Sequence, residues 1–417
     1  MRVGVYCGRH SAQGGGIAVY TANLLGNYLK FLSHPEHVED VLVIYAEATI
    51  LTPNFLNALE NFGRAPEHAG RVTVRRLPTF LGRKAGIILD QFIVPFWTRH
   101  DRLDVLHSTA NLGPLCARTT QMITVHDLFQ GWPAEPPNRG GTPLALGITR
   151  ASYRALFRLQ FRRPYHFIVD CPSTALEIAA RFGLPHSKMS VITLGVDDAL
   201  EKFSAQLAEE PALHSAIRTW FQSRHITPGY TLLFASSDPR KNLKRSLEAW
   251  LELPPDLKTR GLLIRELDPK AGLMVAELLG GQADANRLYR IEWLSRQELF
   301  FVFLGAGVTL AATLAEGYGL PAVESLALAC PVISSDLDCL KQQPAESIFR
   351  CNPLEIPSIR TALVRGLSAS AESSAEFLDS RIQKVISGLT ARSLDTLTQT
   401  ASQTYALYRK FFRQAGE

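Results

Sequence analysis

The six cysteines, at Cys7, Cys116, Cys171, Cys330, Cys339 and Cys351, are scattered, and no C-x-x-C pair occurs. That argues against a zinc site and a disulfide framework, and reduced thiols in a cytoplasm fit best. There is no G-x-G-x-x-G, which weakens a dinucleotide reading. There is no strong charge excess: a formal net charge of +5 gives no indication of a nucleic-acid partner. Internal repeats and low-complexity tracts are absent. No secretory leader is expected, because Met1–Tyr6 goes directly into a strand pattern. The uncharged run Leu299–Ala315 has 17 residues, short of the ~20 needed to span a bilayer. Gly305 and Gly307 interrupt it, so it reads as a helix, a turn and a buried strand.

What is present describes an ordinary folded enzyme. At 417 residues, 46% hydrophobic and 20% charged, the chain is expected to form two domains. Arg2–Tyr6 reads as a strand, Gly14-Gly15-Gly16 as a glycine loop, and Ile17, Tyr20, Thr21, Leu24, Leu25 and Tyr28 as one face of a helix. Strand, glycine loop and helix make a mononucleotide-type βα unit. Further strands are expected at Val41–Ala46, Val72–Leu77, Asp104–Ser108, Met122–Leu128 and Ile168–Asp170. His107 and His126 then stand toward strand C-terminal ends, where open α/β sheets bind ligands. The His126-Asp127 pair has no third metal ligand at a usable spacing. Leu200–His225 reads as a polar helical bridge, and Tyr230–Ala235 opens a second α/β domain. Ala391–Phe412 reads as a terminal helix.

One stretch organises the chain: Ala315-Glu316-Gly317-Tyr318-Gly319-Leu320-Pro321-Ala322-Val323-Glu324. Gly317 and Gly319 let backbone approach a ligand without a Cβ in the way. Pro321 suits the start of a helix, so a glycine loop feeds a helix N-terminus, which favours an anion. Glu316 precedes the helix and Glu324 is expected in its first turn. Two carboxylates for hydroxyls and one helix end for phosphates fit a nucleotide-sugar. The competing reading is a plain loop-to-helix connection with a solvated Glu. Arg240 and Lys241, in Ser236–Asn242, follow the Tyr230–Ala235 strand, and two cations there suit a diphosphate leaving group.

Glu316-Gly317-Tyr318-Gly319-Leu320-Pro321, then Glu324, then Cys330-Pro331-Val332-Ile333, resembles the signature of the retaining glycosyltransferases of family four. Asp238-Pro239-Arg240-Lys241-Asn242, Cys171-Pro172-Ser173-Thr174 and the phrase ending Gly195-Val196-Asp197 match further family segments. Departures are Cys330 for a glycine, Ala235-Ser236 for a Gly-Arg pair and Gln342 for a glutamate. The resemblance implies an α/β chain of GT-B fold: two Rossmann-like domains, 1–197 and 198–390, facing a cleft, with a helix in 391–417 crossing back to the first. It implies a metal-free, cofactor-free hexose transfer from a nucleotide-diphosphate sugar to a saccharide or lipid-linked acceptor in polysaccharide assembly. GDP-mannose is the favoured donor and a UDP-sugar the second. In that scheme Glu324 holds ribose hydroxyls and Glu316 sugar hydroxyls. Gly317, Tyr318, Gly319 and Leu320, with Arg240 and Lys241, surround the diphosphate. Gly15, Gly16, His126 and Asp127 line the sugar or acceptor side. The alternatives are an epimerase or phosphorylase on the same fold, or an inactive nucleotide-sugar-binding partner. Two basic, aromatic segments, Leu81–His100 and Arg150–Arg162, read either as peripheral membrane contacts or as core-packed helices with solvated arginines.

Overall fold

The computed structural model describes residues 1–9, 15–48, 51, 53–79, 82–129, 143–196, 198–280, 287–336, 347–370, 376–389 and 396–416. Asp197, Asp338, Cys339 and Gln342 lie outside the described residues. The chain forms two compact units. The first takes it up to Gly195 and again from Asp395, and the second takes Val196–Leu394.

The first unit is built on a seven-stranded parallel sheet. Its strands are β1 (Arg2–Tyr6), β2 (Val41–Ala46), β3 (Val72–Arg76), β4 (Val105–Ser108), β5 (Thr120–Val125), β6 (His166–Val169) and β7 (Met189–Val191). Their order is β3-β2-β1-β4-β5-β6-β7, so the winding reverses between β1 and β4. The second unit has a six-stranded parallel sheet: β8 (Tyr230–Ala235), β9 (Leu262–Glu266), β10 (Leu288–Ile291), β11 (Ala306–Ala311), β12 (Val332–Ser335) and β13 (Ile348–Cys351). Its order is β10-β9-β8-β11-β12-β13, which puts the reversal between β8 and β11. Central strands such as LLI in β9 are apolar without alternation because helices cover both faces of the sheet. In the second unit one face packs on Phe203, Ile217, Phe221 and Phe303, the other on Leu247, Val275, Ile359 and Leu363. Loops at a winding reversal splay apart at the strands' C-terminal ends and leave a crevice there.

Three local expectations change. Gly15 and Gly16 open the helix Gly15–Leu32 rather than sitting in a loop before it. First-turn N–H groups need no intrahelical partner, so glycine is tolerated there. The Leu200–His225 stretch is two helices, Asp198–Glu209 and Pro211–Ser223, separated where Pro211 starts the second. It is not a polar bridge: Leu200, Phe203, Leu207, Ile217 and Phe221 are buried in the second unit's core. The terminal helix is Leu397–Gly416. It packs on the helix Gly15–Leu32, with Tyr408 stacked on Tyr28 at 5.7 Å between ring centroids. Gly195 permits this return of the chain, since a Cβ there would lie 2.1 Å from the Thr396 carbonyl carbon. The Gly195 N–H donates to Thr400 Oγ1 at 3.1 Å.

Candidate functional site

The β8–β11 reversal gathers the residues of the organising stretch. After β8 the chain makes a short turn, Pro239–Lys241, capped by Asp238, which accepts from the Arg240 N–H at 3.0 Å. Asn242 then takes the left-handed conformation, φ 54°, and its side chain donates to the Ala312 carbonyl at 2.9 Å. The Leu314 N–H donates to the Arg240 carbonyl at 2.7 Å. These bonds tie the loop after β8 to the loop after β11. The tie places the Lys241 ammonium on the Glu316 carboxylate as an ion pair. Gly319, at φ 83°, is the N-cap of the helix Leu320–Ala327, a conformation that favours glycine. Lys241, Glu316, Gly319, Pro321 and Ala322 line one small, open pocket, with Phe234, Leu310 and Thr313. The positive end of that helix thus borders the cavity. The buried Thr313 hydroxyl, which lines it, has no hydrogen-bond partner among the described residues.

Glu324 is the fifth residue of its helix, in the second turn rather than the first, and is buried at 6% exposure. Its carboxylate pairs with Arg296, the first residue of the helix Arg296–Gly305. Sequence reasoning missed Arg296, which lies 28 residues from its partner in no recognisable motif. Arg240 does not present a bare charge. Its Nε and Nη2 both donate to Asp238, the latter at 2.8 Å, so the charge is offset within the turn. Gly317 and Tyr318 are half-buried in the loop between Glu316 and the helix.

In the first unit His126 and Asp127 directly follow β5. His126 is 5% exposed and its ring carries two acceptors: Asp170 Oδ2 at 2.5 Å from Nδ1 and the Thr109 carbonyl at 2.9 Å from Nε2. A carboxylate and a carbonyl both require N–H donors, so the ring is an imidazolium. Burial pulls its pKa down, but the charge and hydrogen bond of Asp170 outweigh that, and the net shift is upward from 6.5. Both ring nitrogens are thus engaged within the first unit. His126 ties β5 to the loop after β4 and to Asp170, which sequence reasoning did not single out. Asn111 completes the tie by accepting from the His126 N–H at 2.8 Å and donating to Asp127 at 3.3 Å. Asp127 also accepts from the Phe129 N–H at 3.1 Å. His107 is a core group: Nε2 bonds Thr124 Oγ1 at 2.8 Å, Nδ1 meets the Tyr408 hydroxyl, and burial lowers its pKa to about 3.

Residues 45–200 match the family described as Glycosyltransferase Family 4. The match falls mostly in the first unit and ends just past Gly195, while the motif resemblance is strongest between Arg240 and Ile333 in the second. The O-antigen chain mannosyltransferase B of Escherichia coli is 22% identical over 142 residues, 33% of this chain and 37% of the relative. The matched part is thus about a third of that curated relative's length. WaaG, a glycosyltransferase involved in lipopolysaccharide biosynthesis, matches 98% of this chain and 99% of its own at TM-score 0.67 and 14% identity. Anabaena Alr3699/HepE, solved with UDP and glucose, matches 98% of this chain and all of its own at TM-score 0.66 and 14% identity. At such identity these likenesses show the fold, which is GT-B.

Within the first unit the two basic, aromatic segments separate. The helix Pro143–Phe161 turns Phe157 and Phe161 into the core and leaves Arg158 exposed, with Arg162 exposed just beyond it. The core-packed reading holds for that helix. The helix Gly82–His100 is inverted: Asp90, Val94 and Thr98 face inward, while Ile88, Phe92 and Phe96 are 66%, 70% and 69% exposed. Asp90 is drawn inward by a two-pronged ion pair with Arg9, at 2.7 Å for both bonds. No helix among the described residues is long and apolar enough to cross a membrane.

Proposed function

We propose that the protein is a retaining glycosyltransferase that moves a hexose from a nucleotide-diphosphate sugar to a saccharide or lipid-linked acceptor. The carrying observation is the Lys241–Glu316 pair on a cavity bordered by a helix N-terminus at the β8–β11 reversal. In this reading Glu316 takes sugar hydroxyls and Glu324 ribose hydroxyls. The loop from Gly317 to Leu320 lies along the diphosphate. Lys241 transfers its contact from Glu316 toward the phosphate as the glycosidic bond breaks and negative charge grows on the leaving group. Arg240, already balanced by Asp238, contributes more to binding than to the barrier. Departure and attack occur on one face of the sugar, with no protein nucleophile. His126, Asp170 and Asn111 hold the first unit's loops in place, beside Asp127 and the Gly15-Gly16 helix start.

Lys241 supplies the positive charge that a divalent ion supplies elsewhere, so transfer is metal-independent in this reading. Among the described residues no three metal-ligating side chains gather. The mannose in the E. coli relative's name favours GDP-mannose, and the UDP bound by the Anabaena protein makes UDP-sugars the second class. Thermal shift against both sets picks the donor, since a bound ligand raises apparent stability. The chosen donor is then incubated without acceptor in the presence of EDTA. Slow nucleotide release supports a metal-free transferase. Loss with EDTA, restored by magnesium or manganese, contradicts the metal-free step. Tight binding with no release under either condition supports an inactive binding partner.

A second reading rests on the helix Gly82–His100. Its outward stripe of Ile88, Phe92 and Phe96 is accompanied by exposed Arg99 and His100, and its single acidic residue, Asp90, is buried. An apolar stripe beside cations suits the cytoplasmic face of an anionic membrane. Sedimentation with anionic vesicles, lost in a Phe92→Ser/Phe96→Ser variant, supports it. Equal sedimentation of the variant removes it.

A further inference from the structure

The Arg296–Glu324 pair joins a cation at a helix start to a buried carboxylate. Arg296 is the first residue of its helix, the end where the helix dipole disfavours a cation. It is nonetheless held there from two sides. Its guanidinium pairs with the buried Glu324 and lies 4.9 Å from the centre of the Phe300 ring, one turn further along the same helix. Phe300 is itself 2% exposed, so the stacking surface is fixed in the core. Arg296 keeps a side-chain exposure of 32%, and Glu324 only 7%. The guanidinium is therefore the open member of the pair, fixed between a buried ring and a nearly enclosed carboxylate.

We propose that Arg296 is a positioning residue that fixes the Glu324 carboxylate for the ribose hydroxyls of the donor nucleotide. The proposal rests on the reading of Glu324 as the nucleotide's ribose ligand. A buried carboxylate stays ionised when a cation is beside it. An ionised carboxylate has about four acceptor sites, so it can accept from a diol beside its protein partners. Without Arg296 the carboxylate loses its charge partner and its fixed rotamer, and discrimination for the ribose goes with them. Lysine keeps the charge but lacks the planar fork and the stacking, so it restores only part of the effect.

The test is calorimetric titration of the full chain with GDP, UDP and their 2′,3′-dideoxy counterparts, carrying forward whichever base binds tighter. Wild type is expected to bind the ribonucleotide about tenfold more tightly than the dideoxynucleotide. In Arg296→Met that ratio falls to about one, with dideoxynucleotide affinity within about twofold of wild type. Arg296→Lys recovers a ratio of about threefold. A purely structural role lowers both affinities together and leaves the ratio unchanged, and that result in either variant overturns the proposal. Glu324→Gln separates the two ideas. If it abolishes the ratio while Arg296→Met keeps it, Arg296 alone is wrong. If Glu324→Gln also keeps the ratio, or wild type shows none, the ribose assignment of Glu324 is wrong and the proposal goes with it.

Discussion

The two units treat their charged and polar groups in opposite ways. In the first, His126 and Asp170 are buried together, and the imidazolium has an acceptor on each nitrogen. His107 is sealed between Thr124 and Tyr408. In the second, Lys241 and Glu316 retain side-chain exposures of 24% and 14%. A buried pair cannot change partners without a large penalty, because removing one member strands a charge. A half-exposed pair is worth little by itself, about 0–1 kcal/mol, and exchanges partners cheaply when a phosphate or a hydroxyl arrives. The contrast teaches where to look for chemistry. In the proposed reading the half-open Lys241–Glu316 pair meets the donor, and the His126–Asp170 pair holds the loops of the first unit.

The sharpest way to break this contrast is to open the buried pair. Asp170→Ala leaves the His126 imidazolium without its counter-charge, and we expect a loss of about 3–5 kcal/mol in stability by chemical denaturation. A loss below about 1 kcal/mol would show that the pair is as exchangeable as those of the second unit. Next in size is Lys241→Ala. A contact that strengthens as the sugar leaves contributes about 2–4 kcal/mol, so kcat should fall roughly 30- to 1,000-fold with a smaller rise in KM. Arg240→Ala should be milder, about three- to tenfold and mostly in KM, because Asp238 already balances that charge. Wild-type kcat in Lys241→Ala would remove the diphosphate site.

The smallest effect is acid sensitivity. Burial lowers the pKa of His107 to about 3, and burial with the Lys410 charge lowers that of His166 to about 4. Both stay neutral in the fold, while the unfolded chain binds protons below about 6.5. Unfolding therefore takes up protons, and stability falls as pH drops from about 6.5 toward 4, by at most about 1.4 kcal/mol per pH unit for each histidine. His126 acts in the other window. Its raised pKa gives stability that is full below 6.5 and lost as pH rises through the folded value. Thermal midpoints of wild type and His107→Gln between pH 7 and 4 should diverge, with the variant the flatter. Parallel curves would show that His107 is protonated in the fold.

The fold was legible because it is written in local patterns. Apolar runs such as Tyr230–Ala235 became β8 and Pro331–Ser335 contained β12, and the Leu299–Ala315 run became a helix and β11, though with no turn between them. The loop from Glu316 to the helix was legible for the same reason. Pairings across the chain were not. Lys241 and Glu316 are 75 residues apart, His126 and Asp170 are 44, and Arg296 and Glu324 are 28. Each pair depends on which strands become neighbours, and spacing carries no record of that. The exposed Phe92 and Phe96 illustrate the same limit, since nothing local told their helix from the one that buries Phe157 and Phe161.

The measurement that bears most directly on the central claim is Glu316→Gln assayed two ways. The variant keeps the shape of the side chain and loses its charge, so Lys241 loses its partner and the sugar loses its acceptor. With the donor chosen by thermal shift, turnover should fall by about 100-fold or more. The affinity for the bare nucleoside diphosphate, measured by calorimetry on the same preparation, should stay within about threefold of wild type. Wild-type turnover would contradict the assignment of Glu316 to the transferred sugar, and a matching loss of nucleotide affinity would place it on the nucleotide instead.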